Sequence, residues 1–474
     1  MTDGITPKAV VLGAGPAGLS AAWKLGNAGL DVEVLEAQSH VGGLAHTIRR
    51  GGYLFDLGPH RFHTDNPAVL TEVERLMGEM PELVRKTRVY FMGKYYDYPL
   101  SAGNLLSSLS PRLALVCFLD FLATWLRNRV SPAPDDSFEA WVVNRFGRRL
   151  YDVYFGPYTA KVWGRDPGRL SASWAAQRVA VVDLWDLVLR LAKVRRGYNH
   201  FHHSPYKPDF WYPREGVGRI YERMAEEVAR DGGTVSLNTR VREVVCADDR
   251  VLSVVVERDG RREVLDGDFF VSTMPVSSLV KALRPRPPED VLAAADSLKF
   301  RAMIFLFLTV EKESISDDHW IYFPERDVVF NRVSEMRNFT PDAAPARRTS
   351  LTVEITCDPD DEVWNMPERE LYERSIAGLV DVGLVRAEQV VDHFFARTRN
   401  AYPTYDLNFE INLGKLAYHL AGLGNLVVCG RQGLFRYINQ DHAIEMGFCA
   451  AEEILTQQIG TRVGRVGKEQ VYFG

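Results

Sequence analysis

Short apolar runs that predict strands stand at both ends of the chain, and a long stretch near its beginning reads as helical. The first run, Ala9 to Leu12, leads into a cluster of glycines. A predicted helix, Ala17 to Ala28, and a second apolar run, Val32 to Leu35, complete a strand–helix–strand opening. Residues 66–195 read mostly as helix, with Asp136 and Ser137 as candidate caps before a helix from Phe138 to Phe146. Arg195 to Pro213 is polar and carries His and Pro, so it reads as a loop. A helix comes next near Ile220 to Ala229, then strands at Val235 to Leu237, Val241 to Cys246, Leu252 to Glu257 and Phe269 to Ser272. Strands are expected again from Phe300 to Val333, with a helix near Glu368 to Val380. The end repeats the opening: strand Leu426 to Cys429, Gly430, a loop, and helix Ala443 to Leu455. The pattern predicts an α/β fold in which one nucleotide-binding domain is built from separated segments with other domains inserted between them.

Composition narrows this picture. The chain has 474 residues, 46% hydrophobic and 25% charged, which excludes a disordered or coiled-coil protein and leaves room for two or three domains. A net charge of −5 gives no basic footprint for nucleic acid. The five cysteines, Cys117, Cys246, Cys357, Cys429 and Cys449, form no CxxC pair and read as reduced thiols in a cytoplasmic protein. No signal peptide is evident. The longest apolar stretch, Leu113 to Leu126, is interrupted by Asp120 and falls short of the roughly 20 residues a bilayer span needs. It is expected to be a buried helix, with no membrane span.

The first chemistry is in the opening turn. Gly13-Ala14-Gly15-Pro16-Ala17-Gly18 is GxGxxG between a strand and a helix. Gly13 makes the tight turn, Gly15 admits a pyrophosphate to the backbone, and Gly18 lets the helix pack on the sheet. The helix N-terminus offers N–H donors to phosphate. Glu36 ends the second strand 23 positions after Gly13, where it can accept from a ribose hydroxyl. Just beyond it, Gln38-Ser39-His40-Val41-Gly42-Gly43-Leu44 resembles the GG motif of FAD-dependent oxidases and mutases. Gly430-Arg431 and the helix after it resemble their second flavin contact. FAD is the expected cofactor, with Val241, Gln440 and Asp441 completing its contacts.

The middle of the chain carries a closer resemblance. Phe155-Gly156-Pro157-Tyr158-Thr159-Ala160-Lys161-Val162-Trp163 is similar to a PYNxKVW segment, and Trp174-Ala175-Ala176-Gln177-Arg178-Val179-Ala180 to a WxxxRVA segment. Val271-Ser272-Thr273-Met274, Trp320-Ile321-Tyr322-Phe323-Pro324-Glu325, Ala401-Tyr402-Pro403-Thr404 and Arg436-Tyr437-Ile438-Asn439-Gln440-Asp441-His442 come in the same order. Together they resemble the flavin-dependent UDP-galactopyranose mutases of eukaryotic type, within the amine oxidase and protoporphyrinogen oxidase superfamily. That resemblance implies a discontinuous Rossmann-type FAD domain (residues 1–65, 214–275 and 424–460), a mainly helical domain with a substrate flap (66–213) and an antiparallel sheet domain (276–423). It also implies an isomerase that interconverts the pyranose and furanose forms of a nucleotide sugar. N5 of the reduced flavin attacks the anomeric carbon while the nucleoside diphosphate leaves, and NADPH or NADH supplies the reducing equivalents. By the same resemblance, Arg178 and Arg332 hold the pyrophosphate, Tyr402 and Tyr437 donate to it, and Arg431 lies between flavin and sugar. His60 borders the flavin's reactive edge. Tyr98, Thr159, Trp163, Lys207, Trp320, Tyr322 and Asn439 are expected around the substrate.

Some segments depart from that pattern. GGHVIF is here Gly58-Pro59-His60-Arg61-Phe62-His63, and YPFQNN is Tyr98-Pro99-Leu100-Ser101-Ala102-Gly103. Thr159 and Lys207 stand where the family has asparagine. These changes point to a nucleotide or sugar other than UDP-galactose: a dTDP-, GDP- or CDP-linked, deoxy or amino sugar. His200, His202 and His203 have no Cys or acid at metal-ligand spacing, so a flap is favoured over a metal site, and no metal is expected. A flavin oxidase or dehydrogenase of an amine, porphyrin-like ring or sugar is the competing function, and a non-catalytic flavin-binding subunit is the third. The sequence leaves the oligomeric state open.

Overall fold

The computed structural model describes residues 6–98, 110–178 and 209–467, with the helix from Ala172 to Arg178 described by backbone alone after residue 175. A five-stranded parallel sheet forms the base of the molecule. Its order is Leu426–Val428, Phe269–Ser272, Lys8–Leu12, Asp31–Leu35 and Thr234–Ser236. Strand alternation sends Ala9 and Val11 to one core and Val10 and Leu12 to another. The first core holds the helices Pro16–Asn27, Gly218–Arg230 and Gln440–Thr456. Small residues let them approach: a Cβ at Gly447 would lie 2.3 Å from the Ala17 carbonyl oxygen. The second core packs a four-stranded sheet built from Thr239–Ala247, Arg250–Arg258, Arg261–Asp266 and Leu283–Arg284.

The largest sheet has seven strands. Their order is Val390–Pro403, Phe300–Val310, Thr349–Cys357, Arg332–Glu335, Trp320–Tyr322, Thr87–Phe91 and Lys94–Asp97. Its period-two pattern divides two functions between its faces. Ile304, Leu306, Ile321, Val333, Val353 and Ile355 point to a core closed by Leu371 and Leu379 of the helix Glu368–Asp381. The opposite face carries Tyr322, Arg332, Glu354 and Phe305 in one cross-strand row, and Trp320, Ser334, Thr352 and Phe307 in the next. That second face looks toward the glycine turn and the His60 loop.

Two readings of residues 66–213 change. Besides helices, the segment contributes strands Glu82–Val84, Thr87–Phe91, Lys94–Asp97 and Asp209–Trp211, two of which extend the seven-stranded sheet. The helix Phe138–Phe146 forms as expected, with the Ser137 hydroxyl accepting from the Ala140 N–H at 3.2 Å. The apolar run forms a helix, Pro111–Val130, but not a buried one. Leu115, Leu119, Leu122 and Leu126 are 58, 53, 38 and 53% exposed. A continuous apolar run carries no periodicity to say which face is covered. Among the described residues no helix is long and apolar enough to cross a membrane.

Candidate active site

The glycine turn opens a cavity of about 1120 Å³ between the parallel sheet and the Val390–Pro403 edge of the large sheet. Each glycine has a distinct surrounding. Gly13 has φ +113°, and a Cβ there would strike Thr273 Oγ1 at 2.3 Å. A Cβ on Gly18 would sit 1.9 Å from the Gly13 oxygen, whereas one on Gly15 meets nothing within 4 Å. Gly15 therefore borders space kept for a ligand, at the N-terminus of the helix Pro16–Asn27. Glu36 accepts from the N–H groups of Ala14 and Gln38, both at 2.8 Å, so its carboxylate is fixed at the cavity wall with lone pairs to spare. Gly43, Leu44, Val241, Gly430 and Gln440 also line the cavity. Gly42 instead shapes the turn, donating its N–H to the Ala14 oxygen at 2.8 Å. Asp441 is buried beside His442 and is not part of the lining. A phosphate-facing helix end, an open glycine and a fixed acid fit a dinucleotide.

His60 and Arg431 also line this cavity. Burial, reinforced by the Arg431 and Arg332 guanidiniums, pushes His60 down to about 3. Its imidazole is neutral near pH 7, and its buried Nδ1 has no partner among the described residues. Arg431 donates to the carbonyls of Ile438 (3.0 Å from Nε) and Ala401 (3.5 Å from Nη1). Its guanidinium lies 5.4 Å from the Tyr402 ring and 5.1 Å from the Tyr437 ring. Those two rings stack at 4.9 Å. Arg332 faces the same node from the large sheet, gripped by Glu354 through Nε and Nη2, each at 2.6 Å. Burial opposes its charge, but Glu354 outweighs it and the Arg332 pKa rises.

An aromatic wall closes the node. Trp163 meets Trp174 edge-on at 4.6 Å and lies 6.4 Å from Tyr402, and Trp174 is 5.2 Å from Tyr437. Tyr322 sits 5.8 Å from the Arg332 guanidinium and 5.1 Å from Tyr98. Burial raises the Tyr402 hydroxyl, and Tyr437 beside it adds to the shift, so it remains a donor at neutral pH.

The expected site residues thus divide into two groups. His60, Arg332, Arg431, Trp163, Tyr322, Tyr402 and Tyr437 converge, with Trp320 and Tyr98 alongside. Asn439 stands at the N-cap position of the helix Gln440–Thr456, with no capping bond from its side chain, and lines the cavity. Thr159 is buried in the helix Gly156–Trp163, while its neighbour Tyr158 is influenced by Tyr322 and Arg332 and belongs to the node. The Arg178 side chain, Lys207 and the three histidines lie outside the described residues. Among those described, no cluster of three or more His, Cys, Asp or Glu could hold a metal. Sequence reading missed Glu354, Tyr158 and Arg61. Tyr158 stands inside the PYNxKVW-like motif, whereas Glu354 has no local signal because sheet register brings it to Arg332.

Comparison with known proteins agrees with this geometry. The family described as flavin containing amine oxidoreductase matches residues 16–455. This chain belongs to that family. Membership brings a flavin cofactor, and the dinucleotide cavity is where it fits. Within the wider set of relatives, a probable UDP-galactopyranose mutase of Klebsiella pneumoniae is 26% identical over 46% of this chain and 52% of that protein. The dTDP-fucopyranose mutase of Escherichia coli is 24% identical over 46% of this chain and 53% of its own length. The chain thus matches about half the length of each mutase. A coproporphyrinogen III oxidase of Staphylococcus aureus is 22% identical over 66% of this chain and 70% of that one. In fold, the chain matches a crystal structure of reduced UDP-galactopyranose mutase with a TM-score of 0.83 at 23% identity, covering 99% of this chain and 100% of that one.

Proposed function

We propose that this member of the flavin-containing amine oxidoreductase family is a nucleotide-sugar mutase that exchanges pyranose and furanose ring forms. The observation that carries the reading is the convergence on a neutral His60 of two guanidiniums, Arg431 in the cavity lining and Arg332 held by Glu354, beside the stacked Tyr402 and Tyr437. An oxidase of an amine or another cationic substrate has no need of such a clamp, whereas the carboxylates of a porphyrinogen would use it as well, so the arginines alone do not separate the mutase from that oxidase. Reduced flavin, when bound, would supply the nucleophilic nitrogen for attack on the anomeric carbon. The side chains do the rest. Arg332 and Arg431 hold the negative charge of a nucleoside diphosphate as the glycosidic bond breaks. The Tyr402 and Tyr437 hydroxyls donate to the same phosphates. His60, held neutral, can keep one proton at a ring nitrogen beside the sugar without adding a third positive charge. Trp163, Trp174 and Tyr322 exclude water that would otherwise add to the anomeric carbon as the nucleoside diphosphate leaves.

The mutase matches and the family resemblance of the middle segments support this reading. The nucleotide stays open between UDP and dTDP, since relatives named for both match over similar lengths. A porphyrinogen-type oxidase is the second reading, favoured by the longer match to coproporphyrinogen III oxidase. The two separate cleanly. Holoenzyme reduced with dithionite is incubated with UDP- and dTDP-hexoses and ring interconversion is monitored by NMR. Interconversion by the reduced and not the oxidised enzyme is expected. Oxygen consumption with a porphyrinogen or amine, and no ring interconversion of any nucleotide sugar, overturns the mutase reading.

A further inference from the structure

One partly buried charge at this site has no role in the scheme above. Arg61 comes directly after His60, and its carbonyl is fixed by the Gln440 Nε2 donor at 2.7 Å. His60 faces Arg332 and Arg431, whereas Arg61 lies against the Trp320 ring, 5.9 Å from its centroid, with Tyr322 and Tyr98 nearby. Its Nη1 is enclosed and has no hydrogen-bond partner among the described residues. Asp441 contributes attraction at a distance but accepts no hydrogen bond from that nitrogen, and Arg85 repels it. Burial and Arg85 together push the guanidinium down to about 10. It is still charged at neutral pH, so the fold carries a partly buried cation with one enclosed, unsatisfied donor. Such a group is costly unless something completes it. The family segment that this loop resembles, GGHVIF, has an aliphatic residue at the corresponding position, so packing alone does not call for a charge.

We propose that Arg61 is the centre of a second oxyanion subsite, beside Trp320 and Tyr98, that binds a carboxylate or phosphate carried by the substrate. This rests on the nucleotide-sugar reading and adds to it: the substrate carries an anionic group besides the phosphate charge held by Arg332 and Arg431. A guanidinium beside an indole is suited to the task, because the aromatic neighbour accommodates its charge and Nη1 keeps a donor for an oxygen. An anion there also relieves the repulsion between Arg61 and Arg85.

The test uses the FAD-loaded full chain and its Arg61→Ile and Arg61→Lys variants. Each is titrated calorimetrically with UDP, dTDP, UDP-galactose, UDP-galacturonic acid and, as a nucleotide-free probe, inorganic phosphate. Arg61→Ile is expected to lose at least about tenfold in affinity for any probe that places an oxyanion at the subsite, and Arg61→Lys to lose less. A loss confined to UDP-galacturonic acid assigns the anion to the sugar; an equal loss for every nucleotide, UDP included, makes Arg61 a further grip on the diphosphate and overturns a second anion. Wild-type affinities in Arg61→Ile for all probes overturn the subsite while leaving the mutase reading intact. Phosphate binding that depends on Arg61, without nucleotide binding, keeps the subsite and removes the mutase reading. A wild-type protein that binds no probe overturns both. The ligand-free melting temperature guards against a structural role. Arg61→Ile is expected to melt at or above wild type, because an apolar side chain replaces an unsatisfied charge, and a clear fall counts against the subsite.

Discussion

Arg332 and Glu354 face each other across neighbouring strands, joined by two parallel hydrogen bonds of 2.6 Å, and the carboxylate is wholly buried. The same carboxylate presses on the His60 loop: a Cβ on Gly58, which has φ +102°, would lie 3.0 Å from Glu354 Oε1. Glu354 therefore sets both the guanidinium's direction and the floor beneath Gly58-Pro59-His60. Removing one partner strands the other in a dry interior. Arg332→Met alone, or Glu354→Leu alone, is expected to cost about 3–5 kcal/mol, and the double variant less than the sum. Urea unfolding of all four proteins measures the coupling. Additive losses would mean that the pair is not a unit.

His319 predicts how stability depends on acidity. It is 5% exposed, and its Nδ1 accepts the Lys86 N–H at 3.0 Å, so the imidazole is held neutral. Burial is the main cause of a pKa near 4 rather than 6.5. In the unfolded chain the ring protonates first as pH falls. The stabilisation is thus complete above pH 6.5 and is lost between 6.5 and about 4, amounting to about 3 kcal/mol. His319→Gln keeps an acceptor for Lys86 and cannot titrate. Relative to wild type, it should flatten the stability profile between pH 7 and 4. Parallel profiles for the two proteins would show that His319 is not the titrating group.

The two glycines of the turn should fail differently. Gly18→Ala drives a methyl to 1.9 Å from the Gly13 oxygen, so the helix Pro16–Asn27 must move off the strand. Both folding and flavin retention should suffer. Gly15→Ala meets no protein atom within 4 Å and should fold with a near-native melting temperature. Its methyl enters the cavity, so it should purify with little flavin. Flavin absorbance per protein together with apoprotein melting temperature separates the cases. A flavin-replete Gly15→Ala would move the phosphates elsewhere.

These glycines were legible because each task is local and leaves a spacing in sequence. Ser137 and the helix it caps were legible for the same reason. Glu354 was not, since residues 22 apart become neighbours only when Arg332–Glu335 and Thr349–Cys357 pair in register. Arg61 could be read as a residue but not as an unsatisfied charge, because its neighbours Trp320, Tyr322 and Tyr98 come from parts of the chain distant in sequence. The exposed leucines of Pro111–Val130 show the limit from the other side. Hydrophobicity specifies a helix there, while exposure depends on what packs beside it.

Tyr402 separates a binding role from a packing role. Its ring stacks on Tyr437 and lies beneath Arg431, contacts that phenylalanine preserves. Tyr402→Phe removes only the hydroxyl. If that group donates to phosphate, affinity for a nucleoside diphosphate should fall about tenfold, the usual scale for one hydrogen bond to a charged acceptor. Stability should change by less than about 0.5 kcal/mol. Burial holds the hydroxyl protonated well beyond neutral pH, so wild-type affinity should show no titration of this group up to about pH 9. Calorimetric titration at neutral and alkaline pH, with melting temperatures alongside, checks all three expectations. Unchanged affinity with a lowered melting temperature would assign Tyr402 to the core and leave Arg332 and Arg431 to hold the phosphates without it.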